Sequence, residues 1–247
     1  MKAAGRTLSR LLFGAPRLQL ALSVPLLAYC ALEAFPQLVF RQHVDVGSIS
    51  VYSRSIVRPE IVDRVREALR LAAASDIAVA DRKERIFLCN ANWLYRVFSP
   101  LSGSSFALSM PVTDNIFVAQ CDVARNIACS SAPLYNQRSL SSVMAHEITH
   151  GLIRHSLGLA RTLFLPSWIN EGYCDYIARE SSFPEGEGVQ LLLEGKEDLS
   201  PAFRYFVARK LVQHLVDDEH FSFKQIAARA PDREQVKSET VAALRTK

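Results

Sequence analysis

Cysteine is sparse in this sequence, and its spacing supports no cysteine-based metal or redox motif. The chain of 247 residues holds five cysteines, and no two of them form a C-x-x-C pair. In an oxidising compartment, Cys121 and Cys129 could close a short loop with a disulfide. The alternative is that both remain free thiols, as buried cysteines often do.

Beyond residue 17 the chain has no net charge, and it has no internal repeats. The formal net charge of +4 comes from Lys2, Arg6, Arg10 and Arg17, and no acidic residue precedes Glu33. The rest of the chain balances to zero and carries no basic stripe, which argues against a nucleic-acid partner. The lack of repeats, the length and the 49% of hydrophobic residues indicate one medium globular domain with an appendage.

A single long apolar run follows the basic arm at residues 1–17. Residues 18–40 contain only one charge, and about 20 apolar residues span a bilayer as a helix. The basic flank before this run predicts a single-pass signal anchor, with the rest of the chain outside the cytoplasm, on the periplasmic or extracellular side. A cleaved signal peptide and a mitochondrial presequence are the alternatives. Residues 41–60 are predicted to be a juxtamembrane segment.

The strongest functional pattern is the run SSVMAHEITHGLIRH. If this run is helical, His146 and His150 stand one turn apart on the same face, at the spacing of two ligands of one zinc ion. Glu147 follows the first histidine directly, where a general base for a zinc-activated water molecule would sit. Ser139 and Ser141 are candidates for the N-cap of this helix. The run therefore predicts a catalytic zinc site that still needs a third ligand.

That third ligand is predicted to be Glu171, in the run PSWINEGYCDYIARE. It lies 21 positions after His150, on a second helix expected to begin near Pro166 or Ser167. Asp175 stands one turn further along the same face. A carboxylate there can accept a hydrogen bond from the far nitrogen of a ligand histidine and so fix its tautomer.

At these positions the sequence resembles the gluzincins, the zinc metallopeptidases typified by thermolysin and the zinc aminopeptidases. Their HExxH motif is followed by a glutamate ligand in an N-E-G or E-x-x-x-D context, and both contexts are present around Glu171. The resemblance implies one zinc ion per chain and hydrolysis of a peptide or protein substrate, with Glu147 as general base. It also implies an α+β, zincin-like domain over residues 61–240, in which a small mixed sheet packs on helices.

The same resemblance implies two further roles. Gluzincins place a tyrosine or histidine donor opposite the glutamate to stabilise the oxyanion. Tyr205, in a helix predicted at residues 201–218, is the candidate for this donor, and His214 is the alternative. Residues 115–120, within a strand predicted at residues 115–123, would form the edge of the cleft and pair with the substrate backbone.

Other metal sites fit the sequence less well. A metzincin needs a glycine and a histidine where this chain has Ile153 and Ser156, and His155 points to another side of the helix. A structural zinc site usually includes cysteine, for which Cys174 is the only nearby candidate. Two alternative functions remain open: an inactive zinc-binding domain used for protein recognition at the membrane, and a structural membrane protein in which the motif is accidental.

The remaining patterns place the other elements of the domain. Helical spacing covers residues 59–74, a strand is predicted at residues 84–90, and residues 91–113 are expected to be irregular. The run SSFPEGEG is expected to be a mobile loop with Glu185 and Glu187 in solvent.

Overall fold

The structure, a computed structural model, describes residues 16–246 of the chain, with side chains from residue 23 onward. The basic arm predicted at residues 1–17 lies almost wholly outside the described residues. The chain divides into two compact units, one that ends at Arg41 and one that begins at Gln42.

The first unit contains helix α1, Pro16–Ala34, and a 3₁₀ turn at Pro36–Leu38. The prediction of one continuous apolar helix over residues 18–40 is therefore wrong, because the helix ends before Phe35. Pro36 disfavours helical geometry in the residue before it, and Phe35 takes φ −126° and ψ 54°. Within the described part of the chain, no helix is both long enough and apolar enough to cross a membrane.

The second unit is α+β, as predicted from the sequence. Five strands of its described part form a mixed sheet: β1 (Gln42–Val46), β2 (Ile49–Ser53), β3 (Glu84–Leu88), β4 (Ala107–Ser109) and β5 (Asn115–Val118). Their order across the sheet is β1-β2-β3-β5-β4. β2, β3 and β5 are parallel to one another, and the two edge strands are antiparallel to their neighbours.

The segment predicted as juxtamembrane contributes the first two of these strands. β1 and β2 form a hairpin whose turn contains Gly47 at φ +62°, a backbone angle that glycine adopts without strain. β2 then pairs in parallel with β3. Residues 42–53 therefore belong to the sheet, and the folded unit begins well before residue 61.

The strand predicted at residues 115–123 is divided between two sheets. Its first part is β5, and its last part, β6 (Gln120–Asp122), pairs with β7 (Ile127–Cys129), which pairs in turn with β8 (Gln137–Ser139). Because β5 has a partner on each side, residues 115–118 do not form the cleft edge that was expected for residues 115–120. The free edge at that end of the larger sheet belongs to β4.

The register of β6 and β7 bears on the predicted disulfide. Gln120 lies opposite Cys129, and Cys121 lies opposite Ala128. Since neighbouring residues of a strand point to opposite faces, this offset directs the two cysteines to different sides of the ribbon. Both thiols are free in the structure, so the disulfide alternative is not formed.

Helices make up most of the second unit. In chain order, those described are α2 (Ile61–Ala72), α3 (Asn92–Phe98), α4 (Leu140–Leu157), α5 (Leu159–Phe164), α6 (Ser167–Ala178), α7 (Glu185–Glu194), α8 (Pro201–Gln213), α9 (Phe223–Arg229) and α10 (Arg233–Thr246). Helix α4 packs against α2, β4 and α6, and α6 packs against α8. The resulting layer of helices α2, α4, α6 and α8 positions the candidate site.

Several of these elements differ from the prediction. The helices expected at residues 59–74 and 201–218 are present, the second as α8 followed by a π-helical turn at His214–Asp218. Residues 91–113 were expected to be irregular but contain α3 and β4. The expected acidic loop is instead the start of α7, where Glu185 forms ion pairs with Arg209 at 3.1 Å and with Lys210. These ion pairs tie α7 to α8.

Candidate metal centre

Helix α4 carries His146, Glu147 and His150. The hydroxyl of Ser139, one of the two predicted caps, accepts a hydrogen bond from the backbone N–H of Ser142 and so starts the helix. Nearly every residue of the helix up to Ile153 is buried, so packing fixes its orientation. The two imidazole rings meet edge to face, with centroids 4.8 Å apart.

Helix α6 brings the predicted third ligand to these histidines. Pro166 is the N-cap of α6, and its carbonyl accepts hydrogen bonds from the backbone N–H groups of Ile169 and Asn170. Oε2 of Glu171 lies 3.3 Å from Nε2 of His146 and 3.4 Å from Nε2 of His150. The two Nε2 atoms are 3.1 Å apart. One oxygen and two nitrogens thus form a nearly equilateral triangle.

The size of this triangle fits a zinc ion. Ligands at about 2.0 to 2.1 Å from a tetrahedral zinc ion are separated by edges of about 3.3 to 3.4 Å. The three measured distances, 3.1, 3.3 and 3.4 Å, are close to these edges. The donor set of two imidazole nitrogens and one carboxylate oxygen is also the one that zinc accepts. The residues present therefore fit the ion that the motif predicts.

Cys174 is the other donor near the histidines. Its sulfur and one nitrogen from each imidazole lie within 4.8 Å of one another. However, Sγ lies 3.3 Å from Nδ1 of His150, the nitrogen on the far side of the ring from the triangle. Burial raises the pKa of this thiol well above its ordinary value. Glu171 therefore completes the triangle with the two Nε2 atoms, and Cys174 contacts His150 from the other side of its ring.

Without a metal, the triangle is stabilised by opposite charges. Burial works against a charged His146, but Asp175 and Glu171 outweigh it and raise the pKa of His146 to about 10. Burial likewise works against a charged Glu171, but His150 and His146 hold its pKa well below the ordinary value. A metal ion would therefore take the place of a proton between these groups.

A second carboxylate orients His146 from its far side. Oδ1 of Asp175 lies 2.7 Å from Nδ1 of His146, the contact that fixes a ligand histidine with its other nitrogen toward the metal. Asp175 is fully buried. Burial works against its charge, but Arg138 and His146 keep the pKa of Asp175 below its ordinary value.

Arg138 is a residue of this site that the sequence did not reveal. It lies on β8, and its guanidinium is 2.9 Å from Oδ1 of Asp175. It also donates hydrogen bonds to the backbone carbonyl of Glu180 at 2.7 Å and to the hydroxyl of Ser142 at 3.2 Å. A buried charge needs such partners. A lone arginine before a helix has no sequence pattern that would have marked it.

We expect Asp175→Asn to weaken zinc affinity by about 10- to 100-fold, because it removes the charge that orients His146. It should also lower the free energy of unfolding by about 3 kcal/mol, since it leaves the buried charge of Arg138 without its counter-ion. Cys174→Ala, which removes an uncharged partner of His150, should weaken zinc affinity by less than about tenfold. Competition with a chelator and thermal unfolding measure the two effects. Equal zinc affinity in Asp175→Asn and wild type would contradict the orienting role.

Helix α8 brings Tyr205 toward the same cluster. The charge of Glu171, burial, and the charges of Asp175 and Glu147 together raise the pKa of Tyr205 far above its ordinary value. Tyr205 is still 39% exposed, so a bound molecule can reach it. The charge of Glu171 is the largest cause of this shift in pKa, so the tyrosine lies within electrostatic reach of the cluster.

His214, the alternative oxyanion donor, faces another way. It follows Tyr205 by nine residues, which is half a turn out of phase on a helix. Its Nδ1 lies 2.9 Å from Oδ2 of Asp218, and its Nε2 lies 3.9 Å from Glu219. The charges of the cluster act on Tyr205, whereas His214 contacts acidic residues that follow it in the chain. His155 is exposed on the outer side of α4.

The glycine of the N-E-G run has a packing role. A Cβ on Gly172 would stand 2.5 Å from the carbonyl oxygen of Ala208 and 2.9 Å from a methyl group of Val212, both on α8. Such contacts are far inside van der Waals distance, so any larger residue would push α8 away from α6. Gly172 therefore sets the distance between Glu171 on one helix and Tyr205 on the other.

The chain matches no protein-family model, and no curated protein is significantly similar to it. The functional assignment thus depends on the motif and on the geometry of the cluster. The structure brings together His146, His150, Glu171 and Asp175, and the charges of Glu171 and Asp175 act on Tyr205.

Proposed function

We propose that this chain is a zinc-dependent peptidase with a zincin-like domain. The observation that carries the proposal is the triangle of His146 Nε2, His150 Nε2 and Glu171 Oε2, with edges of 3.1 to 3.4 Å. Glu147 follows His146 directly in the sequence. The side chain of Glu171 is 27% exposed, so solvent reaches this ligand. Three protein ligands and one open position are typical of catalytic zinc, whereas structural sites close the fourth position with protein.

The zinc ligands, Glu147 and Tyr205 have separate roles in peptide hydrolysis. Zinc held by the triangle would supply a Lewis acid that lowers the pKa of water and polarises a carbonyl group. Glu147 accepts a proton from the attacking water molecule while the oxygen of that water bonds to the carbonyl carbon. Glu147 then delivers the proton to the leaving amine as the C–N bond breaks. Tyr205 donates a hydrogen bond to the oxygen on which negative charge develops.

The proposed place of action is a membrane surface outside the cytoplasm. The apolar run at residues 18–40 and the basic arm before it support this location. In the described part of α1, Val24, Leu26 and Leu27 are all more than half exposed. Exposed apolar patches of this kind indicate contact with lipid or with another protein. The substrate would then be a peptide or protein near the membrane.

Metal content and hydrolysis together test the proposal. The purified full-length chain should carry about one zinc ion and cleave members of a peptide library. A chelator should stop the cleavage, and added zinc should restore it. Zinc without hydrolysis would favour the inactive zinc-binding domain. A chain that binds no zinc would contradict both functions.

Tyr205→Phe is expected to reduce kcat by roughly 10²-fold while zinc remains bound, because it removes one hydrogen-bond donor to the oxyanion. KM should change little, since the hydrogen bond forms chiefly in the transition state. Steady-state kinetics with a cleavable peptide measure both constants. A matched control is Tyr176→Phe, which removes a hydroxyl on α6 that bonds to Asp217. Equal kcat in Tyr205→Phe and wild type would exclude this donor.

A further inference from the structure

The short helix α5 joins the two ligand-bearing helices and presents an unusual apolar surface. Its principal packing partner is α4, the helix before it, and none of its residues is buried. Leu163 is 69% exposed and Phe164 is 89% exposed, and Leu159 is also exposed. Helical spacing puts these three side chains on one half of α5, while Arg161 and Thr162 occupy the other half. We call Leu159, Leu163 and Phe164 the α5 apolar face.

The charged side chains of the chain segment around α5 have one sign. Residues 148–170 contain no aspartate or glutamate, but they contain Arg154, His155 and Arg161. Arg154 is paired with Asp114 at 2.7 Å, whereas Arg161 and His155 are exposed. An apolar face flanked by basic groups and free of acids is complementary to an anionic lipid surface, in which acyl chains lie beneath negative headgroups.

Another exposed apolar side chain lies near the C-terminal end of α4. The turn between β4 and β5 contains Val112, which is 84% exposed. Arg154, in the last turn of α4, holds this turn through its contacts with Asp114 and with the hydroxyl of Ser109. The only acid of that turn is thus neutralised, since Arg82 also contacts Asp114 at 2.6 Å.

We propose that the α5 apolar face docks on a membrane surface that carries anionic lipid. Leu163 and Phe164 enter the interface between headgroups and acyl chains, and Arg161 pairs with the headgroups. A helix that lies in the interface in this way does not cross the bilayer. Docking would place the first turn of α6, which precedes Glu171, close to the lipid surface, because α5 leads directly into α6. This inference depends neither on bound zinc nor on peptidase activity.

A single tryptophan in the α5 apolar face tests the proposal. The chain has two tryptophans, so the full-length reporter combines Trp93→Phe and Trp168→Phe with Phe164→Trp. It is incubated with vesicles of phosphatidylcholine, with or without phosphatidylglycerol, whose acyl chains are brominated. The reporter should lose roughly half of its emission or more on anionic vesicles, because interfacial helices bury about 5–10 Å deep. The loss should be several-fold smaller on neutral vesicles and after Arg161→Gln.

A matched reporter controls for attachment through another segment. It carries Leu199→Trp in place of Phe164→Trp, since Leu199 is 95% exposed and lies before α8. This tryptophan should keep its emission on the same vesicles. Circular dichroism checks that both reporters are folded. Absence of quenching at position 164, or equal quenching at both positions, would overturn the proposal. So would a dimer without lipid that Phe164→Ser converts to a monomer, because a second copy of the chain would then cover this face.

Discussion

Glu147→Gln is expected to abolish peptide hydrolysis while the chain keeps its fold and its zinc. Glutamine has nearly the same shape as glutamate, but its amide cannot accept the proton of the attacking water. Glu147 is next to a ligand and yet lies outside the triangle that His146, His150 and Glu171 form. Glu147→Gln should therefore lose catalysis without losing zinc. Loss of general base catalysis should lower kcat by about 10²- to 10⁴-fold.

The control for this variant is Glu187→Gln, which makes the same change at an exposed position on α7. Its kcat and zinc content should equal those of wild type. Metal analysis, circular dichroism and kcat are measured on all three proteins. If Glu147→Gln hydrolyses peptides at the wild-type rate, the activity belongs to another site or to a contaminant. If it loses zinc, the residue is needed for binding and the assigned division of roles is wrong.

The part of the site that lies on α4 and α6 could be predicted from local sequence. A four-residue spacing puts His146 and His150 on one helical face whatever surrounds the helix. The same rule puts Glu171 and Asp175 on one face of the next helix. The convergence of the two faces was a hypothesis from the resemblance, and the structure provides distances of 3.3 and 3.4 Å between them.

The groups that orient the ligands could not be predicted in the same way. Arg138 reaches Asp175 from β8, and no periodicity connects a strand residue to a helix residue 37 positions away. Cys174 is marked by the sequence only as the one nearby cysteine that a structural zinc site could use. Its contact with His150 depends on how α6 is rotated against α4, and this rotation is set by packing such as that of Gly172 against Ala208.

The order of the strands in the sheet could not be predicted from local sequence either. A strand pattern indicates that residues 115–118 are extended and apolar, but it does not give the neighbours of that strand. The structure places β5 between β3 and β4, with all four of its residues buried. The edge position belongs to β4, whose three residues are too few to give a pattern. Pairing between distant strands is a property of the whole chain, and local propensity reports only part of it.

Loss of zinc in Glu171→Ala, but not in Cys174→Ala, is the second large effect that we expect. Both residues lie close to His150, and each could complete a donor set with the two histidines. In the proposed ligand set of His146, His150 and Glu171, the glutamate supplies one of the three bonds to the metal. It also carries the only negative charge among these three ligands. Its removal should lower zinc affinity by more than the roughly 100-fold that marks the loss of an orienting group.

The pair of variants separates the two donor sets because their outcomes are opposite. If His146, His150 and Glu171 hold the metal, Glu171→Ala loses zinc during dialysis against a weak chelator and Cys174→Ala keeps about one ion per chain. If the thiol were the third ligand, Cys174→Ala would be the variant that loses zinc. His150→Ala serves as the positive control, since both sets need it. Zinc bound equally by all three variants would show that the metal sits elsewhere. Glu171 is partly exposed and Cys174 is fully buried, so the substitution at Glu171 removes less buried side chain. Circular dichroism of each variant distinguishes loss of a ligand from loss of the fold.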